Sequence, residues 1–338
     1  MAVLNTTSPP TLRATSPASG EDNCPLVGLV FAAIAPHGGL AIEEACTPGE
    51  RGLAAATRAG MMELGELFAA ARPQAVVVAT PHNVHIPASM GVIVSGRVAG
   101  QLAGAPPSIA LDVPTELTLA WLVLKALLTA GVPASGVSFG GNDPAEAVAP
   151  MDWGVLIPLW FMGGRADPPV PLVVITPARD LSAGDHLKAG AAVAEAANAS
   201  GIRVAFIASA DHGHAHDPQG PYGFDPAAKR YDQLICELVR DDHMDRLADI
   251  PLELVESAKA DSWWQMLMLH GATGKGWSGR LVSYEAPTYF GMLTAAYLPV
   301  VPGNAPHPTL SPEGERKAVN LGTASPPRKR NAPRTRGR

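Results

Sequence analysis

The sequence predicts a layered α/β domain, with a central sheet that is mostly parallel or mixed and helices on both of its faces. Two observations predict this class. Short apolar runs bounded by glycine and proline alternate along the chain with segments whose apolar residues recur at helical spacing. The composition, with 47% apolar and 17% charged residues among 338, also provides enough apolar side chains for a sizeable core.

The predicted strands are short and rich in Val, Ile, Leu and Ala, as buried strands are. In chain order they cover residues 26–34, 75–79, 91–98, 137–139, 172–175, 203–208 and 280–284. The predicted helices cover residues 43–71, 114–130, 153–162, 183–197, 226–240 and 251–270. Pro114 suits the first turn of the second of these helices, and Asp152 is placed to cap the third.

The domain organisation follows from composition. Residues 1–24 and 303–338 are rich in Pro, Ser, Thr and Arg, which predicts a disordered N-terminal arm and a disordered basic tail. Residues 25–302 contain no repeat and no linker-like segment, so a single catalytic domain is the simpler interpretation.

The formal net charge of −6 hides an asymmetry between the body and the tail. From Arg316 onward there are eight Lys or Arg and no acids, so the remainder carries 17 basic against 31 acidic residues. An acidic body argues against broad nucleic-acid binding. The basic tail could touch nucleic acid, but a Pro-rich basic terminus is more typical of a solvated segment.

The cysteines and the termini bear on the cellular compartment. Cys24, Cys46 and Cys236 are too few and too scattered for a disulfide framework. Residues 1–21 lack the apolar core of a signal peptide, and no apolar stretch reaches the roughly 18 residues that a membrane span needs. We therefore expect a cytoplasmic protein without membrane contact.

Histidines follow several of the predicted strands. His37 comes directly after the first strand and its Pro36, His82 follows the second through Thr80-Pro81, and residues 211–216 (Asp-His-Gly-His-Ala-His) follow the strand at 203–208. Glu285 ends the last predicted strand. Ligands collect outside the carboxyl ends of strands in open α/β sheets, so this pattern predicts a metal site.

Each of these residues also has a plainer interpretation. A single histidine in a turn is more often a hydrogen-bonded turn residue than a metal ligand, and Glu285 could pair with Arg280. The shared strand-Pro-His pattern at His37 and His82 is what favours a joint role. His85, three residues beyond His82, could be a third ligand or a substrate contact.

Two neutral imidazoles and one carboxylate suit non-haem Fe(II), because they leave coordination positions open for two reactants. Zinc accepts the same ligands, and the spacing does not separate the two metals. The histidine cluster at 211–216 is suited to acid–base chemistry, since an imidazole can take and return a proton near neutral pH.

These residues resemble a known family. Pro36-His37, Thr80-Pro81-His82, the cluster around His214, residues 223–226 (Gly-Phe-Asp-Pro) and residues 283–287 (Ser-Tyr-Glu-Ala-Pro) occur together in order. This set is similar to the class III extradiol ring-cleaving dioxygenases of the protocatechuate 4,5-dioxygenase type, including their Memo-like relatives. The resemblance spans most of residues 25–302.

The resemblance implies particular roles. It places the iron ligands at His37, His82 and Glu285 and the acid–base group at His214. It also implies a small aromatic substrate, dioxygen as co-substrate and a homo-oligomer.

One departure from the family stands at Trp153, where many members have a histidine between Asp and Gly. Trp153 is therefore expected to line an aromatic pocket. Alternatively, His85 or His212 could take over the missing acid–base or substrate-contact role. Two other functions remain open. One is a zinc-dependent hydrolase of a small amide or ester, because zinc accepts the same ligands. The other is a Memo-like binding protein without enzyme activity, which the change at Trp153 favours.

Overall fold

The computed structural model describes residues 27–105 and 109–300. Its strands are β1 (Gly28–Ala35), β2 (Ala75–Ala79), β3 (Met90–Ile93), β4 (Arg97–Gln101), β5 (Ala110–Pro114), β6 (Ala134–Val137), β7 (Val148–Pro150), β8 (Leu172–Thr176), β9 (Arg203–Ser209), β10 (Trp277–Glu285) and β11 (Met292–Pro299). Its α-helices are α1 (Ala55–Ala71), α2 (Leu117–Thr129), α3 (Trp153–Phe161), α4 (Ala183–Ser200), α5 (Pro226–Arg240), α6 (Leu252–Ala258) and α7 (Trp263–Thr273). The predicted α/β class is confirmed.

Eight strands form one mixed sheet in the order β10-β11-β1-β9-β2-β8-β3-β6. The four central strands, β1, β9, β2 and β8, run parallel to one another. Their carboxyl ends therefore open on a single edge of the sheet, which is where the chain delivers His37 and His82. A second sheet of three strands has the order β5-β4-β7.

Both faces of the large sheet are covered. Successive side chains of a strand point to opposite faces, so Ala32 and Ile34 of β1 belong to the core beneath α2, α4, α5 and α7. Phe31 and Ala33 belong to the other core, beneath α1, α3 and the small sheet. Strands buried on both faces explain the unbroken apolar runs of the sequence.

Some predicted elements differ from the structure. The single strand predicted at 91–98 is two strands, β3 and β4, because the chain turns at Ser95-Gly96 and joins the other sheet. The helix predicted at 251–270 is divided into α6 and α7, since Lys259 adopts a left-handed conformation with φ 56°. Strand β11 was not predicted at all. The predicted terminal arms lie outside the described residues.

The structure also shows the state of two cysteines and the character of the helices. Cys46 and Cys236 are buried thiols without a disulfide, and Cys24 lies outside the described residues. Within 27–105 and 109–300, no helix combines the length and the apolar character that crossing a bilayer requires.

Helices α4 and α7 pack closely through glycine. A Cβ atom at Gly190 would overlap the carbonyl oxygen of Met268, and one at Gly271 would overlap that of Leu187. This close approach fixes the position of α7, whose first residue, Trp263, comes two positions after Asp261. The packing of these two helices therefore bears on where Asp261 lies.

Gly190→Ala is expected to destabilise the protein by about 1–3 kcal/mol, because the added methyl group forces the two backbones apart. Gly184→Ala, on the same helix, is the control: its Cβ would lie 3.7 Å from the nearest atom, so helix propensity should stabilise it by up to about 1 kcal/mol. Urea unfolding followed by circular dichroism measures both, and equal effects would contradict the close packing of the two helices.

Candidate metal centre

The ends of β1 and β2 bring two histidines together. The Nε2 atoms of His37 and His82 lie 3.1 Å apart, and their rings meet edge to face. His37 is 1% exposed, whereas the side chain of His82 is partly open to solvent. The two side chains are 45 positions apart in sequence, so it is the parallel pairing of the central strands that makes them neighbours.

The third member of the group is Asp261, in the connection between α6 and α7. Its Oδ2 lies 3.4 Å from Nε2 of His37 and 3.5 Å from Nε2 of His82. Ligand atoms about 2.1 Å from one ion are separated by about 3.0 Å at a 90° angle and about 3.4 Å at a tetrahedral angle. The three observed separations fit one shared cation, and within the described residues this trio is the group that can hold one.

Hydrogen bonds around His37 leave its Nε2 available as a ligand. The hydroxyl of Ser209 donates its one hydrogen bond to the carbonyl of Gly154. Its oxygen therefore accepts a hydrogen bond from the N–H at Nδ1 of His37, with a distance of 2.9 Å. The neutral ring then has its lone pair on Nε2, facing the centre. The backbone N–H of His37 also donates to Asp211 at 2.9 Å.

The charges in the centre favour a cation. Burial alone would lower the pKa of His37, but the carboxylates of Asp211 and Asp261 outweigh it and raise that pKa to about 9. Burial would raise the pKa of the Asp261 carboxyl, but His37 and His82 hold it well below its usual range. In addition, Oδ1 of Asp261 is buried and lacks a hydrogen-bond partner among the described residues. The residues present therefore fit a divalent metal ion.

The structure corrects the prediction that Glu285 supplies the carboxylate. Glu285 ends β10, outside the trio whose ligand atoms converge. Its Oε1 instead accepts the backbone N–H of Thr57 at 2.6 Å, in the first turn of α1. Ala54, the cap position of α1, has no side-chain acceptor, so Glu285 satisfies this helix end from outside.

Sequence reasoning missed Asp261 for a physical reason. An Asp-Ser pair directly before an apolar helix normally predicts an N-terminal cap, and the sequence does not reveal that Asp261 is 7% exposed. Its carboxylate caps nothing in the structure, because no side-chain cap bond is found at α7. Ser209 and Asp211 were missed because a strand end gives no sign of the hydrogen bonds that it makes.

His214 lies next to this centre, among aromatic rings. Its ring stacks on Phe290 at a centroid distance of 5.5 Å, with Tyr222 at 5.7 Å and Tyr289 at 6.0 Å. The backbone N–H of His214 donates to the carbonyl of Ala258 at 2.8 Å, three positions before Asp261, so the turn that carries this imidazole lies beside the ligand. The Nδ1 atom is buried and has no hydrogen-bond partner among the described residues.

His212 is placed differently. It has no exposed surface, burial lowers its pKa, and its ring faces Tyr231 in the core at 6.3 Å. Neither of its ring nitrogens has a hydrogen-bond partner in the part of the chain that the structure describes. A side chain without exposure cannot contact a substrate directly, so the predicted catalytic role of His212 receives no support from its position.

A buried carboxylate that the sequence did not single out holds the histidine-bearing turn. Asp232 of α5 accepts hydrogen bonds from the backbone of Gly213 at 2.7 Å, from the Tyr284 hydroxyl at 2.7 Å and from Nε2 of His216 at 2.8 Å. His216 is therefore a partner of Asp232. These bonds anchor the turn on both sides of His214.

A cleft of about 410 Å³ opens beside His82. The two residues predicted to contact substrate, His85 and Trp153, both line it. Trp153 is 49% exposed and lies against the His82 ring at a centroid distance of 4.3 Å. Gly154 lets the start of α3 approach this closely, since a Cβ there would overlap the Thr80 hydroxyl.

The predicted cap of α3 by Asp152 is observed, as its carboxylate accepts the N–H of Val155 at 3.2 Å.

Comparison with known proteins identifies the family. A family model described as the catalytic LigB subunit of aromatic ring-opening dioxygenase matches residues 32–293, so the chain belongs to this family. The resemblance seen in the sequence is thereby confirmed.

Individual relatives say less about this chain than the family model does. Protein CA_C1420 of Clostridium acetobutylicum is 22% identical over 215 residues, which are 63% of this chain and only 46% of that protein. The crystal structure of uncharacterized protein JW3007 from Escherichia coli K12 is similar with a TM-score of 0.51 at 17% identity, covering 79% of this chain and 99% of that one. At this identity the likeness concerns the fold alone.

Asp261→Asn is expected to abolish stoichiometric metal binding, because it removes the anionic ligand. Glu285→Gln is the matched control: it should keep the metal and lose about 1 kcal/mol of stability at the start of α1. Metal content after dialysis against a weak chelator, with thermal unfolding in parallel, measures both. Loss of metal in Glu285→Gln and its retention in Asp261→Asn would restore Glu285 as the ligand.

The raised pKa of His37 predicts how metal binding depends on pH. A metal needs the neutral imidazole, so the apparent affinity should rise about tenfold per pH unit from pH 7 and level off above about 9. The metal-free protein should lose stability over the range from 6.5 to 9, where His37 gives up the proton that its carboxylate neighbours stabilise. Competition with a fluorescent chelator follows the affinity, and a plateau already at pH 7 would contradict the prediction.

Proposed function

We propose that the protein is a non-haem Fe(II)-dependent extradiol dioxygenase that opens a catechol-like or aminophenol ring with dioxygen. The observation that carries the proposal is the trio of His37, His82 and Asp261, whose ligand atoms lie 3.1–3.5 Å from one another beside an open cleft. Two imidazoles and one carboxylate on one face are the ligand set of non-haem Fe(II) oxygenases. Membership of the ring-opening dioxygenase family supports the same reaction.

The three ligands would hold the ion with coordination positions left on the cleft side. A bound ferrous ion would supply the electron transfer that lets an aromatic diol react with dioxygen, and would lower the pKa of the ring hydroxyls. The hydrogen bond from His37 to Ser209 keeps the first ligand in the correct tautomer. Asp211, 3.5 Å from the His37 ring, adds negative charge that favours a divalent cation.

His214 is the acid–base group in this proposal. Its imidazole takes a proton from a substrate hydroxyl and returns it later, for which it must stay near the reacting ring. Stacking on Phe290 and the backbone bond from His214 N–H to the Ala258 carbonyl, 2.8 Å long, hold it there. The Asp232 hydrogen bonds to Gly213 and His216 fix the turn on either side.

Trp153 and His85 would form the outer wall of the substrate site. Trp153 packs on the His82 ring, so it covers one side of the metal centre and keeps water from that side. His85 lines the same cleft and is exposed. Its role would be contact with the substrate periphery, since a solvated imidazole at the rim is poorly placed to control protons at the centre.

The test is anaerobic reconstitution with Fe(II), followed by oxygen-electrode and absorbance assays on catechols and 2-aminophenols. His214→Ala is expected to lower kcat by about 10²–10⁴-fold while retaining iron, because the proton transfers lose their catalyst. His243→Ala is the control, since His243 is largely exposed and pairs with Asp245 away from the trio. Its activity should equal that of the parent.

Three results would contradict the proposal. Oxygen uptake without any ring-opened yellow product would reject extradiol cleavage. Stoichiometric zinc together with oxygen-independent ester or amide hydrolysis would favour the hydrolase function instead. Binding of a partner protein that survives loss of both His37 and His82, in a protein inert toward every ring tested, would favour the Memo-like binding function.

A further inference from the structure

The charges that act on the metal centre from the surrounding protein are predominantly negative. Besides the ligand Asp261, the carboxylate of Asp211 lies 3.5 Å from Nε2 of His37, and that of Asp152 accepts a hydrogen bond from Asn83, the residue after His82. A further anionic group brought to this place by a substrate would meet repulsion at close range.

The cleft beside His82 offers no cation to offset that repulsion. Among the described residues that line it there is no Lys or Arg, and its one carboxyl is Asp152. Both oxygens of Asp152 are already acceptors, from Thr80, Asn83 and Val155. The remaining wall is chiefly apolar and consists of Val84, Phe139, Pro150, Met151 and Trp153.

Six arginines among the described residues have partners that hold their guanidinium groups away from the cleft. The partners are carbonyl oxygens, carboxylates or tryptophan rings, and the arginines are Arg58, Arg97, Arg165, Arg179, Arg203 and Arg280. Recognition of a carboxylate usually depends on such a group in a fixed position. The cleft is therefore built for a different kind of substituent.

We infer that the substrate is an aromatic diol or aminophenol whose ring substituent in the cleft is uncharged and apolar, and not a carboxylate. The inference rests on the proposed function, because it takes the ring to be held at the His37–His82–Asp261 centre. The cleft of about 410 Å³ accommodates a single ring with a short substituent. Trp153 offers the ring a face to stack on, and Val84 and Met151 offer the substituent apolar contact.

Three catechols that differ at one position test the inference, and they carry a methyl, a carboxylate or an aminomethyl group at ring carbon four. With the Fe(II)-loaded protein, the methyl compound should be turned over with a kcat/KM roughly tenfold or more above that of the carboxylate compound. It should also exceed the ammonium compound, because the apolar wall removes water from the ammonium group and both oxygens of Asp152 already accept other hydrogen bonds. The same order is expected for affinities measured by calorimetry under argon with the Zn²⁺-loaded protein, which cannot turn over.

A carboxylate or ammonium compound that is turned over best would overturn the inference and leave the proposed function intact. If no catechol is turned over, the proposed function fails. The calorimetric order then still decides whether the cleft prefers an uncharged substituent, with equal or inverted affinities overturning that preference.

A cation placed in the cleft provides a second measurement. Val84→Lys should shift the preference between the carboxylate and the methyl catechol, expressed as the ratio of their kcat/KM values, toward the carboxylate by about tenfold. The reference is Val84→Met, which introduces a neutral side chain of similar reach. Circular dichroism and metal content show that both variants are folded and loaded. An equal ratio in the two variants would overturn the placement of the substituent beside Val84.

Discussion

The contact between the Nε2 atoms of His37 and His82, 3.1 Å apart beside the Asp261 carboxylate, is the interaction on which the rest of the site depends. At this distance either one of the two nitrogens carries a proton or a cation lies between them. A proton meets this need in part: burial alone would lower the pKa of His37, but the carboxylates of Asp211 and Asp261 raise it to about 9. A divalent cation meets it fully, because it is also bound by the carboxylate.

The fold brings the members of this contact together from distant parts of the chain. Parallel pairing of β1, β9 and β2 delivers His37, Asp211 and His82 to one edge of the sheet. The carboxylate comes from the opposite end of the chain through the connection before α7, whose position is fixed by close packing on α4. The site is thus assembled from segments more than 200 positions apart, and packing holds them together.

The sequence predicted what depends on local pattern. Buried strands, the Asp152 cap and the histidines at two strand ends follow from hydrophobic runs and from residues that end them, and the structure has them. It could not predict which carboxylate joins the histidines. Glu285 ends a strand at the same edge of the sheet, and nothing in the pattern shows that its carboxylate instead accepts the N–H of Thr57 and caps α1. Asp261 and Asp232 were missed because burial, which makes each of them significant, is not encoded locally.

Anomalous diffraction at the absorption edge of the bound metal, from crystals grown after loading with Fe(II) or Zn²⁺, would locate the ion and its ligands in one measurement. We predict one strong peak about 2.0–2.2 Å from Nε2 of His37, Nε2 of His82 and a carboxylate oxygen of Asp261. A peak coordinated by Glu285, or a metal bound elsewhere while these three side chains remain hydrogen-bonded to one another, would contradict the assignment of this trio as the metal centre.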